Sequence, residues 1–255
     1  MLVTFTGVGE AFDERIPNCS ILLEANGANG PVTALLDCGF TAAHAFWRTA
    51  RAPLDLDCLW ISHFHGDHFF GVPLLYLRFW EEDRTRPLTV IGGPGVEAAL
   101  TQAMDAAYPR FRERMRFPVH YIEAEPGRPF TACGLNWNTA FGGHGQPCLA
   151  VRVDDGERAV FYSGDGRPTP ETLALATGCD LVAQEAFSLE LDTEGHGTIP
   201  GAIDFARKAE AKRLAIVHVN RRVRHGRTDE IRALLATATD INACMPEAGD
   251  SLRLG

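Results

Sequence analysis

The 255-residue chain has no run of about 18 apolar residues, so no segment reads as a membrane-spanning helix. Its first residues, Met1-Leu2-Val3-Thr4-Phe5, lack the basic stretch and long apolar core of a secretory signal. None of the seven cysteines forms a Cys-x-x-Cys pair, and Cys19, Cys58 and Cys148 sit inside apolar runs. That pattern favours reduced, mostly buried thiols and a cytoplasmic protein over a disulfide framework. Positive charge is scarce: 24 Lys and Arg against 33 Asp and Glu leave a net charge of −9. Such a surface argues against broad, sequence-independent nucleic-acid binding, which needs a basic face. It leaves small anionic substrates open, since a local site can differ in charge from the surface as a whole. No Pro- or Ser-rich linker, low-complexity segment or short repeat divides the chain, so residues 1–255 are expected to form one domain.

Strand-like runs fall at about 2–7, 20–25, 32–37, 57–61, 88–91, 119–123, 148–153, 158–162, 180–184 and 214–219. Helical periodicity lies near 42–50, 71–82, 94–107, 170–176, 199–211 and 228–237. Strands followed by helices, twice over, suit an α/β protein of two packed sheets with helices on both outer faces.

The most informative segment is Ile61-Ser62-His63-Phe64-His65-Gly66-Asp67-His68, directly after the apolar Cys58-Leu59-Trp60-Ile61. A strand that ends in a tight glycine-containing loop brings neighbouring side chains to one spot. Imidazoles with a carboxylate there suit a divalent transition metal.

This segment resembles the HxHxDH signature of the metallo-β-lactamase superfamily. The resemblance implies the αββα four-layer sandwich, two mixed β-sheets flanked by helices. It further implies that His63 and His65 hold one metal ion and that Asp67 and His68 hold a second. Three further ligands are then expected, each just past a hydrophobic run: His144 in Gly142-Gly143-His144-Gly145, Asp165 in Ser163-Gly164-Asp165-Gly166, and His218 after Leu214-Ala215-Ile216-Val217. Asp165 would bridge the two ions. In Leu35-Leu36-Asp37-Cys38-Gly39, Asp37 matches the family's LIDxG strand, where the carboxylate orients a ligating imidazole. Zinc, manganese and iron all accept five His and two Asp.

Gln184-Glu185-Ala186-Phe187 and Gly195-His196-Gly197-Thr198 are similar to the HEAT and HST motifs of ribonuclease Z, and Pro87-Leu88-Thr89-Val90-Ile91-Gly92 matches another segment of that group. By that resemblance His196 is the acid that protonates the leaving oxygen and Glu185 its orienting partner. Local chemistry offers His196 a simpler role, at the start of a helix capped by Thr198. Two departures matter. Gln184 stands where the HEAT histidine belongs, and the interval from His144 to Asp165 holds only one hairpin, turning at Asp154-Asp155-Gly156-Glu157. In the bacterial enzymes that process transfer-RNA 3′ ends, a long arm fills that interval. Nucleic acid is therefore not the favoured substrate.

The expectation is a dinuclear metal-dependent hydrolase acting on a small phosphodiester or nucleotide-derived ester through a hydroxide between the metals. Asp67 orients the attacking water and His196 supplies the leaving-group proton. Alternatives are a carboxyl-ester, lactone or thioester hydrolase, a transfer-RNA 3′-end endonuclease, and a metal-binding scaffold without turnover. Arg221, Arg222 and Arg224, just after His218, are candidates to bind substrate anions, against the plainer reading of a solvated charged loop. The cluster Arg110, Arg112, Arg114 and Arg116 reads as a helix-to-strand connection. His44, His120 and His225 have no ligand-like setting. A homodimer is expected only by analogy with related enzymes.

Overall fold

A computed structural model describes residues 1–255. The first sheet begins with β1 (Leu2–Gly7), β2 (Ser20–Gly27) and β3 (Gly30–Leu36), which pair antiparallel. It continues in parallel through β4 (Cys58–Ile61), β5 (Leu88–Gly92) and β6 (Val119–Glu123). Between these strands lie α1 (Ala42–Thr49), the short α2 (Gly66–Phe69), α3 (Val72–Glu81) and α4 (Val96–Ala107). The second sheet repeats the plan. β7 (Phe130–Ala132), β8 (Leu135–Phe141), β9 (Leu149–Asp154) and β10 (Ala159–Tyr162) are antiparallel. β11 (Leu181–Glu185), β12 (Arg213–Val217) and β13 (Asn242–Cys244) then add in parallel. α5 (Pro170–Ala176), α6 (Ile199–Lys208), α7 (Arg221–Gly226) and α8 (Thr228–Ala236) belong to this half. β14 (Ser251–Arg253) returns to pair with β1.

Strand alternation builds the layers. In β4, Cys58 and Trp60 face the second sheet, while Leu59 and Ile61 face the helices α1, α3 and α4. Both faces are covered, so β4 is apolar throughout rather than alternating. One core lies between the sheets, where Trp60 and Trp137 stack with ring centroids 6.2 Å apart. Two others lie between each sheet and its own helices. The result is the expected helix–sheet–sheet–helix order.

Several elements depart from the sequence reading. β7, β8, β13 and β14 were not among the expected strands, and the charged segment after His218 is the helix α7. The motif segment is itself partly helical, with His68 N–H donating to His65 O. One pair of cysteines departs from the expectation of reduced thiols. Cys133 and Gly134, with φ of 51° and 76°, make a tight turn between β7 and β8. That turn carries Cys133 back to Cys58, 75 residues earlier, and the two form a disulfide between the sheets. Cys19, Cys38, Cys148 and Cys179 are free and buried. The interval between β9 and β10 is the short hairpin expected, with Asp154 opposite Ala159.

Candidate metal centre

Every residue singled out for the site lies at or beyond the carboxyl end of a strand, where open α/β sheets place their ligands. Asp37 follows β3, and His63, His65, Asp67 and His68 follow β4. His144 follows β8, Asp165 follows β10 and His218 follows β12. Asp37 and His218 have φ of 61° and 56°, a left-handed backbone that is costly for residues with a Cβ and that clusters at functional sites. Glycine permits the close approaches. A Cβ on Gly39 would sit 1.9 Å from Asp67 O, so this residue lets the loop after β3 touch the motif segment.

The seven expected ligands come together in two groups that share Asp165. His63, His65, His144 and Asp165 form one, and Asp67, His68, Asp165 and His218 the other, with ligand atoms in each group within 4.8 Å of one another. In the first, His65 Nδ1 lies 3.0 Å from His63 Nε2 and 3.2 Å from His144 Nε2. In the second, His68 Nε2 is 3.2 Å from Asp165 Oδ1, and His218 Nε2 is 3.3 Å from Asp67 Oδ2. His68 Nε2 and Asp165 Oδ1 are buried and have no hydrogen-bond partner. Orphaned polar atoms of this kind are rare in folded proteins. Here they converge with the nitrogen and oxygen donors that zinc, manganese and iron accept, so the residues present fit a divalent ion in each group.

Electrostatics point the same way. Burial alone would raise Asp67, but the imidazoles of His218 and His68 beside it outweigh burial and hold the carboxyl far below its ordinary range. Burial is likewise overcome at Asp165 by His218 and His68, which keep it well below its ordinary value. Conversely, burial would lower His218, yet Asp165 and Asp67 push it up to about 9. His68 is raised well above its ordinary value, with Asp165 and Asp37 overcoming burial. His63 is lowered by burial and by His68 beside it. Two buried carboxylates thus demand positive charge at this spot.

Asp37 organises this centre from beneath. Its Oδ2 receives His68 Nδ1, the Ser62 hydroxyl and the Tyr162 hydroxyl, each at 2.7 Å, and its Oδ1 accepts from Ser62 N at 2.7 Å. Ser62 Oγ in turn lies 3.0 Å from His63 Nδ1. One carboxylate therefore fixes an imidazole of each group. Ser62 and Tyr162 escaped the sequence reading. Tyr162 had a signal, since it ends an apolar strand on the inward face, two residues after Val160.

Glu185 and His196 also meet. Glu185 Oε1 accepts from Gly166 N and Gly197 N at 3.1 and 2.9 Å and lies 3.3 Å from His196 Nδ1. The His196 ring stacks on Phe187 and lies parallel to His218, with centroids 5.9 Å apart. Thr198, not His196, caps α6, its hydroxyl accepting from Gly201 N. Arg167 steadies the His196 loop by donating to Thr193 O and His196 O at 2.7 and 3.0 Å. Gln184 is buried and donates to Glu185 O at 3.2 Å.

The arginines after His218 are mostly committed elsewhere. Arg224 is buried and donates to Pro246 O and Glu247, which corrects the expectation that it faces substrate. Arg221 pairs with buried Glu10 at 2.9 Å. Arg222 is exposed and forms no ion pair. His225 bonds Asp13 at 2.9 Å, while His44 and His120 are exposed.

Residues 33–219 match the family model described as the beta-lactamase superfamily domain. Ribonuclease Z of Geobacillus kaustophilus is 27% identical, with 87% of this chain and 88% of that protein covered. Ribonuclease BN of Proteus mirabilis is 24% identical over 297 aligned positions, covering 94% of this chain and 96% of the relative. That span exceeds the chain's own 255 residues, so the relative carries segments that this chain lacks. Among solved structures, the short form of human tRNase Z superposes with a TM-score of 0.79 at 20% identity, both chains being fully covered. With its fold and clustered donors, the chain belongs to the metallo-β-lactamase superfamily and is a ribonuclease Z-like, metal-dependent hydrolase.

Proposed function

We propose that this centre hydrolyses a small phosphodiester. Two divalent ions, zinc, manganese or iron, would be held by His63, His65, His144 and Asp165 on one side and by Asp67, His68, Asp165 and His218 on the other. When bound, such ions lower the pKa of water and neutralise charge building on a phosphoryl oxygen. The remaining tasks fall to the chain. Asp67 Oδ1 has no protein partner, so it is free to orient the attacking water and accept its proton. Glu185 Oε1 faces His196 Nδ1 at 3.3 Å and Phe187 stacks on the ring, so Nε2, which has no protein partner, would deliver a proton to the departing alkoxide.

The pairing of Glu185 with His196, beside His218, carries this reading. A phosphodiester has an alkoxide leaving group that needs an acid, whereas a thioester or activated lactone needs less help. Relatives named ribonuclease Z, and a fold neighbour named tRNase Z, make RNA the alternative substrate. Against it stands the short acidic hairpin between His144 and Asp165, which leaves no long arm there to grip such a molecule.

The test is hydrolysis of bis(p-nitrophenyl) phosphate by protein reconstituted with zinc or manganese, with His65→Ala as the blank. Turnover lost in the variant is the expected result. No turnover with both groups metal-loaded would overturn the phosphodiester reading and favour carboxyl esters and thioesters.

A further inference from the structure

Beside the first ligand group lies an apolar slot that the chemistry above leaves unused. It has a volume of about 250 Å³, and His63 forms part of its wall. Phe64 and Phe141 line it together with Leu149. Both rings lie close to candidate ligands in the sequence, since Phe64 stands between His63 and His65 and Phe141 lies three residues before His144. The Phe64 ring is fixed edge-on by Phe69, with centroids 5.8 Å apart. Phe141 ends β8 and is 45% exposed, an apolar ring left at a catalytic rim.

Two other wall residues say what the slot is for. Gly93 has no left-handed φ, and an added Cβ would meet only the Leu149 side chain, at 3.4 Å. The backbone does not require glycine there, and the missing side chain keeps the slot open. Gln146 carries a donor and an acceptor at the wall, and its amide makes no hydrogen bond within the protein. Pockets that enclose a whole drug-sized ligand run to roughly 300–1,000 Å³. The slot is smaller, so it suits a single ring system while the rest of the ligand stays at the ligand groups.

We propose, resting on the phosphodiester reading, that this slot binds a planar aromatic ring carried by the substrate. Phe64 and Phe141 supply the apolar contact and Gln146 meets polar atoms on the ring edge. The ring could belong to a nucleobase or to an aryl alcohol.

The experiment measures binding to zinc-loaded protein by calorimetry, with metal content checked in each sample. Uridine 5′-monophosphate is compared with ribose 5-phosphate, and phenyl phosphate with methyl phosphate. Wild type is run beside Gly93→Val, which fills the slot, and Phe141→Ala, a change at an exposed position that does not threaten folding. A stacked ring is worth roughly 1–3 kcal/mol, so about a tenfold advantage is expected for at least one ring-bearing ligand. That advantage should disappear in both variants while the ringless ligands bind equally to all three proteins. An advantage only for the nucleotide assigns a nucleobase, and one only for phenyl phosphate assigns an aryl alcohol. Equal binding with and without a ring, or an advantage that survives both variants, overturns the slot but leaves the phosphodiester reading standing. Failure of every phosphate to bind the metal-loaded protein removes that reading, and this proposal with it.

Discussion

Asp37 and His68, 31 residues apart in sequence, are joined by a 2.7 Å contact between Oδ2 and Nδ1 at the base of the centre. The same oxygen receives the hydroxyls of Ser62 and Tyr162. An amide at position 37 would have to turn its NH2 toward either these donors or Ser62 N. Asp37→Asn should therefore weaken metal retention by about 10- to 100-fold, the usual cost of disturbing the partner of a ligating imidazole. Metal content after dialysis against graded chelator gives the measurement. Retention equal to wild type would show that the contact does not hold His68 for metal.

The acid role assigned to His196 predicts a dependence on the leaving group. His196→Ala should slow release of an alkyl alcohol by about 10²–10⁴-fold. Release of p-nitrophenolate, which departs without a proton, should fall far less. Rates for a matched pair of diesters decide the matter, and equal losses on both would exclude general-acid catalysis by this residue. Glu185→Gln should show the same selectivity more weakly.

Metal and protons compete for the same sites, and the sign of that competition is fixed. His218 is raised to about 9 in the metal-free fold. Charged His218 therefore stabilises that fold fully below the ordinary value of about 6.5, and the contribution is lost as pH rises through about 9. Metal binding needs the neutral imidazole, so zinc affinity should increase over the same window. The thermal midpoint of metal-free protein should fall between pH 6.5 and 9 while that of zinc-loaded protein does not. Parallel pH profiles for the two forms would contradict this account.

A buried guanidinium outside the centre should matter for stability alone. Arg84 donates to Arg86 O, Leu54 O, Leu56 O and Pro87 O while lying over the Phe79 ring. Arg84→Met keeps much of the volume but strands carbonyl groups, each at a cost of about 1–3 kcal/mol. Chemical denaturation should show a loss of about 3 kcal/mol, with metal content at saturation unchanged.

Legibility of the sequence followed distance along the chain. Each candidate metal ligand lies within a few residues of an apolar run, so strand ends and donors were visible together. β8 was missed although Leu135, Trp137 and Thr139 alternate with Asn136 and Asn138, because two asparagines outweighed a period of two. The short strands β13 and β14 have little buried surface to leave a pattern. What stayed hidden was pairing between remote positions. Cys58 finds Cys133 across 75 residues, and Arg221 finds Glu10 across 211. No local window reports such partners, so the Cys58–Cys133 disulfide and the partners of Arg221 and Arg224 stayed out of view.

The split of the ligands between the two sheets has a consequence for assembly. The first sheet contributes His63, His65, Asp67 and His68, and the second contributes His144, Asp165 and His218. Either sheet alone presents only two donors to each group. Only the closed sandwich therefore assembles the four candidate donors of either group, and neither half carries a complete set by itself.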